Sequence, residues 1–317
     1  MGQIKREISV ALAYSALLTV LAFAVPAFYQ GDKLRSIAVS SAPTLVAAVG
    51  MTLVILSRNI DISIGSQLSL CGVVAGLLAK TGLMMPLVAC GTMLAGAALG
   101  TLNGFFVAAF RIPSIVVTLA TMFIYGDGLH WWREGEFVRN LPDHFQWFGR
   151  GQGVGQWIVV GIALATFVIF AWGLHYMPSG RAVYATGSDP DSAFLVGIRS
   201  RRVVFAVFVL MGALTGLAAL LEVVQFPQVD PKVGEGLELQ VIAAVVVGGV
   251  AISGGRGNLL GVLFGVALFQ TIGPALVFFG SPPYWEKALQ GGIILLVVAS
   301  DAFNFKRRKQ GLGPVAT

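Results

Sequence analysis

The chain has 317 residues, of which 56% are hydrophobic and only 11% are charged, and its mean hydropathy is +0.82. Soluble domains carry about 25% charged residues, so the composition excludes an ordinary soluble protein. It predicts an all-α polytopic membrane protein. The formal net charge of +6 does not indicate nucleic-acid binding, because the basic residues lie at the ends of apolar runs rather than on one soluble face.

About ten apolar runs are long enough to be interpreted as transmembrane helices, which need roughly 20 residues each. The predicted spans are 8–28, 38–57, 62–80, 84–109, 113–129, 156–176, 204–224, 238–254, 258–279 and 286–303. Very short links join the second span to the third and the fourth to the fifth, so these pairs are expected to be antiparallel neighbours. We interpret residues 1–317 as a single transmembrane domain.

The distribution of Lys and Arg sets the predicted orientation. If the N-terminus is placed in the cytosol, the basic residues concentrate on the cytosolic segments, most clearly at Lys306–Lys309. By the positive-inside rule, both termini are expected to be cytosolic. The long segments outside the membrane are then an inner loop, 177–203, an outer loop, 130–156, and a shorter outer link, Gln225–Glu238.

The stretch 58–66, RNIDISIGS, interrupts the apolar pattern between the second and third spans. In one interpretation, Asp61 or Ser63 caps the third helix by accepting its free N–H groups. In the other, the break is an irregular polar patch on a water-filled route, where Asn59, Asp61, Ser63 and Ser66 exchange hydrogen bonds with solute hydroxyls. The sequence leaves both alternatives open.

The inner loop 177–203 is polar, basic and rich in turn-forming residues. From Tyr184 onwards the sequence predicts a turn and then a short helix, which Ser188 or Asp189 caps and Gly197 ends. Such a helix, lying parallel to the membrane, fits a groove on a cytosolic partner. The alternative is an ordinary connecting loop.

Glycine is common and is placed in two notable ways. The stretch Gly248–Asn258 lacks the Lys-Ser/Thr ending of a phosphate-binding loop, so it predicts a tight turn. Glycines four residues apart predict smooth faces for close helix packing. They are Gly96, Gly100 and Gly104 in the fourth span and Gly257, Gly261 and Gly265 in the ninth.

The sequence offers no support for catalysis, a bound metal or a cofactor. The pattern contains no Ser-His-Asp arrangement, no zinc-type spacing and no paired carboxylates. Cys71 and Cys90 both fall inside apolar runs, so both are predicted to be buried thiols.

Five motifs occur in an order that resembles one family. They are Asn59–Ser66, Arg111–Pro113, Thr118–Thr121, Gly180–Ile198 and Gly248–Gly257. The chain resembles, over nearly its entire length, the permease subunits of bacterial ABC sugar importers of the ribose/xylose/galactose branch. The loop positions that match the family pattern are Gly180, Arg181, Tyr184, Ala185, Gly187, Ala193, Gly197 and Ile198.

Two positions depart from that loop pattern, with Asp189 where asparagine is usual and Ser192 in place of an alanine. Both changes are small and leave docking of a partner plausible. In detail, the chain looks most like the autoinducer and rhamnose permeases, through Arg58–Asp61 and Ser281–Trp285.

The resemblance implies that the chain lies in the inner (plasma) membrane of a bacterium and works with three protein partners. They are a cytosolic ATPase with two nucleotide-binding domains, a periplasmic sugar-binding protein that contacts the outer segments, and a second permease chain, identical or homologous. The implied function is ATP-driven import of a monosaccharide or sugar-like furanose. A carrier that works alone, coupled to ions or protons, is the alternative.

Two groups of residues are candidates for this function. The inner loop is expected to couple to the ATPase, and the break after the second span is expected to line the substrate route. The coupling candidates are Gly187, Asp189, Ala193 and Gly197, and the route candidates are Asn59, Asp61, Ser63 and Ser66.

Overall fold

The computed structural model describes residues 2–150, 153–280, 282, 284–293 and 295. Within these residues the secondary structure is helical, apart from one isolated β-bridge between Val138 and Val229. The helices are α1 (Gly2–Ala24), α2 (Gly31–Leu56), α3 (Ile64–Lys80), α4 (Met85–Phe110), α5 (Ser114–Arg133), α6 (Asp143–Arg150), α7 (Val154–Tyr176), α8 (Pro178–Ser188), α9 (Pro190–Leu195), α10 (Ser200–Val223), α11 (Leu237–Val247) and α12 (Leu259–Phe278).

The all-helical prediction is confirmed, and five of these helices are long and apolar enough to cross a membrane: α2, α4, α7, α10 and α12. Shorter apolar helices lie at Val10–Ala24, Ile64–Lys80 and Leu237–Val247. Ten crossings and cytosolic termini stay predictions. Half of the predicted span 286–303 lies outside the described residues, and so do Lys306–Lys309 and positions 281 and 283 of the Ser281–Trp285 motif.

The structure departs most from the sequence prediction at the predicted span 238–254. Helix α11 ends at Val247, and Gly249 then takes a left-handed φ of +95°. A helix of this length is about 16 Å long, whereas the hydrocarbon core is about 30 Å thick. Helix α11 therefore cannot cross the bilayer by itself, and the glycine-rich stretch after it forms the tight turn that the sequence predicts.

The interior is built around α2, whose residues from Ala42 to Leu56 are all buried. It packs against α7, α10, α11 and α12. A helix that is apolar around its whole circumference is stable only when other helices surround it. The surrounding helices therefore hold the C-terminal end of α2 in a fixed position.

Helices α4 and α10 pack through glycine, as the sequence predicts for the first glycine group. A Cβ built on Gly96 would overlap the carbonyl oxygen of Gly212, and one on Gly212 would overlap that of Gly96. Gly100 lies equally close to the Phe208 carbonyl. Small residues at such crossings allow the two backbones to approach closely.

The prediction for the thiols is half right. Cys71 is buried, but Cys90 is exposed on α4. Apolar runs in membrane helices contain outward-facing positions as well as core positions, so hydropathy alone does not separate them.

We predict that Gly96→Ala destabilises the helix pair by about 1–3 kcal/mol, because the added methyl group overlaps a backbone oxygen that cannot rotate away. Thermal unfolding of the detergent-solubilised protein measures the effect. Gly161→Ala is the matched control, since a Cβ there meets nothing within 4 Å. Equal stability of the two variants would contradict the packing described.

Candidate functional site

The link between α2 and α3 is irregular and lies against the start of α5. Arg58 takes a left-handed conformation, with φ of +66°. The Ile60 N–H donates to the Ser114 hydroxyl at 3.1 Å, and the Thr118 hydroxyl donates to the Ile60 carbonyl at 3.4 Å. These hydrogen bonds satisfy backbone groups that a helix would otherwise pair internally.

Four fully buried side chains form a polar cluster beside this link: Asp61, Ser63, Gln67 and Asn103. One carboxylate oxygen of Asp61 accepts from the backbone N–H of Ser63 at 2.9 Å and from its hydroxyl at 2.6 Å. The other oxygen accepts from the Gln67 amide at 3.1 Å and the Asn103 amide at 3.5 Å. Both amides also donate to the Ser63 hydroxyl oxygen, at 2.7 and 2.8 Å.

The electrostatics of the polar cluster are unusual, because no Lys, Arg or His of the described residues forms an ion pair with Asp61. Neutral donors alone solvate the carboxylate. A buried carboxyl group without an ion-pair partner is costly unless hydrogen bonds surround it, so the two amides and the hydroxyl are held in place by Asp61.

Two amide oxygens of the polar cluster have no hydrogen-bond partner in the described structure. They are Gln67 Oε1 and Asn103 Oδ1, and both are buried. More than nine in ten buried polar groups in proteins are paired, so these two unpaired acceptors are unusual.

The structure places two of the four route candidates together in the polar cluster. Asp61 and Ser63 are in the polar cluster, whereas half-buried Asn59 donates to the Ser57 carbonyl at 2.9 Å and Ser66 lies against Gly126. Asp61 accepts the backbone N–H of Ser63, the residue that precedes α3, but neither Asp61 nor Ser63 caps the helix through its side chain. The arrangement is therefore a buried polar patch rather than the helix cap of the other interpretation.

Sequence reasoning missed Gln67 and Asn103. Gln67 lies four residues after Ser63, on the same face of α3, and that spacing was a readable signal. Asn103 lies beside Gly104 in α4 and reaches the cluster across the fold. No local pattern connects it with Asp61.

The inner loop forms two helices rather than a turn and one helix. The predicted turn from Tyr184 is wrong, because α8 continues to Ser188. The Tyr184 hydroxyl donates to the Gly257 carbonyl at 2.8 Å and ties α8 to the glycine-rich turn. Between α8 and α9, only Asp189 leaves the helical conformation.

Asp189 caps α9, as the sequence predicts. Its carboxylate accepts from the Ser192 hydroxyl and from the Asp191 N–H. The Ser192 hydrogen bond, followed by the backbone hydrogen bonds of Asp191 and Ser192, holds the pKa of Asp189 below its usual value. Gly197, with φ of +83°, follows α9 in open space.

Three backbone segments meet at a point that we call the coupling junction: Leu56, Gly187 and Gly255. The Gly255 N–H donates to the Leu56 carbonyl at 2.9 Å. A Cβ on Gly187 would overlap that same carbonyl oxygen and lie 2.7 Å from the Gly255 nitrogen. Only glycine fits at position 187, and α8 is thereby fixed to the end of α2.

The coupling candidates thus divide into two groups. Gly187 and Ala193 are buried against this chain, while Asp189 and Gly197 are exposed. The apolar surface that α9 and the following turn present outward comes from Phe194, Leu195 and Val196, which are 70%, 84% and 74% exposed.

The predicted outer link Gln225–Glu238 lies partly along α3. Val229 pairs with Val138 of the outer loop through two backbone hydrogen bonds of 3.0 Å. The Gly234 N–H donates to the Ser69 hydroxyl at 2.9 Å, and Gly234 lies directly against Gly65. The exposed part of this link includes Lys232 and Glu235, whose side chains are not covered by the rest of the chain.

Comparison with known sequences identifies the class of protein. The chain matches the family described as "Branched-chain amino acid transport system / permease component" over residues 34–298, a range that contains both the polar cluster and the coupling junction. The chain therefore belongs to this family of transporter permeases. With its apolar helices, it is a multi-pass inner-membrane protein.

Several curated proteins are similar over almost the whole chain. The autoinducer 2 import system permease protein LsrC of Enterobacter sp. (strain 638) is 33% identical over 296 residues, which cover 93% of this chain and 86% of that protein. LsrC of Escherichia coli (strain K12 / DH10B) is 32% identical over 304 residues, which cover 94% and 87%. No solved structure matches the chain.

We predict that Asp61→Ala lowers the free energy of unfolding by about 2–4 kcal/mol, because it leaves buried donors of Ser63, Gln67 and Asn103 without their shared acceptor. Pulse proteolysis of the solubilised protein measures this change. Asp127→Ala, at an exposed position of α5, is the control and is expected to have little effect. A stable Asp61→Ala variant would show that the cluster does not hold α3 and α4 together.

Proposed function

We propose that this protein is the transmembrane subunit of an ATP-driven importer for a monosaccharide or sugar-like furanose. Family membership supports the role of a permease component, which acts within a larger system rather than as a carrier alone. The similar proteins are named for autoinducer 2 import. Neutral amide and hydroxyl groups predominate in the polar cluster, and such groups suit a solute that is rich in hydroxyls.

The proposed assembly has two permease chains, a cytosolic ATPase with two nucleotide-binding domains and a periplasmic binding protein. Residues 1–317 form one permease domain with about ten crossings, in one of which α11 crosses together with the residues that flank it, and both termini lie in the cytosol. The binding protein contacts the outer loop 130–156 and the exposed positions of Gln225–Glu238. The inner loop 177–203 contacts the ATPase.

The observation that carries the proposal is the connection between α9 and α2. The exposed surface of Phe194, Leu195 and Val196 gives the ATPase an apolar contact, as expected at the centre of an interface. Displacement of α9 moves α8, because only Asp189 separates them. Since Gly187 lies against the Leu56 carbonyl, α8 in turn moves the end of α2.

The motion then reaches the substrate route. The link 57–63 connects the coupling junction to the polar cluster, so a shift at Leu56 changes the position of Asp61 relative to α4. In this proposal Asn59, Asp61, Ser63 and Ser66 lie along the route. The unpaired oxygens of Gln67 and Asn103 accept hydrogen bonds from solute hydroxyls, and rigid-body rocking of the helices opens the route to either side.

We predict that Leu195→Ser weakens binding of the ATPase about tenfold, because an exposed anchor of the interface is lost. Binding of purified ATPase to membrane vesicles measures the effect, and uptake should fall in parallel. Met84→Ser, which changes a residue 70% exposed at the α3–α4 link, is the matched control.

The same measurement tests the orientation. Inside-out vesicles should bind the ATPase and right-side-out vesicles should not. Equal binding by Leu195→Ser and the unaltered protein would contradict docking on α9, and binding only to right-side-out vesicles would overturn the topology.

A further inference from the structure

A pocket of about 410 Å³ lies beside the coupling helices, between the α2–α3 link, the α4–α5 link and the start of α10. Three arginines, Arg58, Arg111 and Arg201, line it, and no acidic residue does. Within the described part of the chain, none of the three forms a close ion pair or a side-chain hydrogen bond, although the charge of Arg58 lies near enough to Asp189 to assist the Ser192 hydrogen bond in lowering the pKa of that carboxyl.

Two of these arginines occupy backbone conformations that glycine adopts more easily. Arg58 has φ of +66° and Arg111 has φ of +58°, both left-handed. Each follows the end of a long helix, α2 or α4, where glycine is the usual residue. Left-handed conformations of larger residues are often found at functional sites, and here both place an arginine at the same pocket.

The other walls of the pocket are mixed, with polar side chains such as Ser57 and Ser200 beside a group of apolar ones. The apolar ones include Val107, Ile112, Ile115 and Val204. Beside the pocket, α4 ends in exposed Phe106 and Phe110, whose rings stack with centroids 5.8 Å apart. A cationic cavity thus adjoins an apolar surface.

We propose that this pocket binds the headgroup of an anionic phospholipid from the cytosolic leaflet, with its acyl chains along the end of α4. Guanidinium groups pair strongly with phosphate, and basic pockets between transmembrane helices at the cytosolic side suit anionic lipids. An amphiphile matches both surfaces, whereas a free anion would leave the apolar walls exposed. The bound lipid connects α10 and the α2–α3 link to the α4–α5 link, beside Thr186 and Pro190 of the coupling helices.

The lipid pocket is distinct in chemistry from the proposed substrate route. Asn59 borders the pocket, but the polar cluster offers acceptor oxygens, while the pocket offers cationic donors. The inference uses the proposed orientation, and it does not depend on which solute is carried.

The test uses the purified permease–ATPase complex in micelles containing equal amounts of phosphatidylglycerol and phosphatidylcholine, with bound lipids counted by native mass spectrometry. We expect phosphatidylglycerol to be retained preferentially. Arg201→Gln should weaken its binding about fivefold, and Arg111→Gly with Arg201→Gln about 25-fold, since each basic residue contributes comparably. Glycine at position 111 removes the charge without straining the left-handed backbone.

The matched control is Arg199→Gln with Arg202→Gln, which removes two neighbouring charges that do not line the pocket. It should retain the lipid. Equal retention of both lipids, or an equal loss in the control, would overturn the proposal. Displacement by millimolar inorganic phosphate would assign the pocket to a free anion, and lipid bound only when the ATPase is absent would assign it to the ATPase interface. Either outcome would also overturn the lipid proposal. Docking of the ATPase on Leu195 is measured in a separate experiment, so the two proposals can fail independently.

Discussion

The contact on which the rest of the structure depends is made at the carbonyl oxygen of Leu56. It accepts the Gly255 N–H at 2.9 Å and lies against the Cα of Gly187. Three segments that are far apart in sequence are held there by backbone atoms rather than by flexible side chains. Packed interfaces of this kind change between discrete arrangements and do not deform continuously, so the coupling junction suits the transfer of a rigid displacement.

The surrounding structure supports that role. Helix α2 is buried from Ala42 to Leu56, so its end cannot absorb a push by bending into lipid. The chain beyond it is irregular and carries Asp61, a buried carboxylate solvated only by neutral donors. Because a buried carboxyl group requires its hydrogen-bond partners in place, movement of Asp61 is coupled to α3 through Gln67 and to α4 through Asn103.

Much of the fold could be predicted from the sequence, because membrane helices are encoded locally. A long apolar run is sufficient to predict α2 or α10, and the Asp-Pro-Asp sequence from Asp189 is sufficient to predict the cap of α9. Errors arose where contacts between distant segments decide the outcome. The turn predicted at Tyr184 is a helix tied to Gly257, and α11 stops where glycines follow Val247. The polar cluster was half predicted, since Asn103 meets Ser63 only through the packing of α4 beside α3.

The most direct test of the account measures solute uptake per ATP hydrolysed, using the assembled complex in proteoliposomes with Gly187→Ala. The added methyl group would separate α8 from the Leu56 carbonyl, whereas Gly173→Ala, where a Cβ meets only the Met177 sulfur at 3.7 Å, serves as the control. If the coupling junction transmits force, Gly187→Ala should continue to hydrolyse ATP while uptake per ATP falls about tenfold, equivalent to about 1.4 kcal/mol of coupling. An unchanged ratio of uptake to hydrolysis in an assembled Gly187→Ala complex would contradict it.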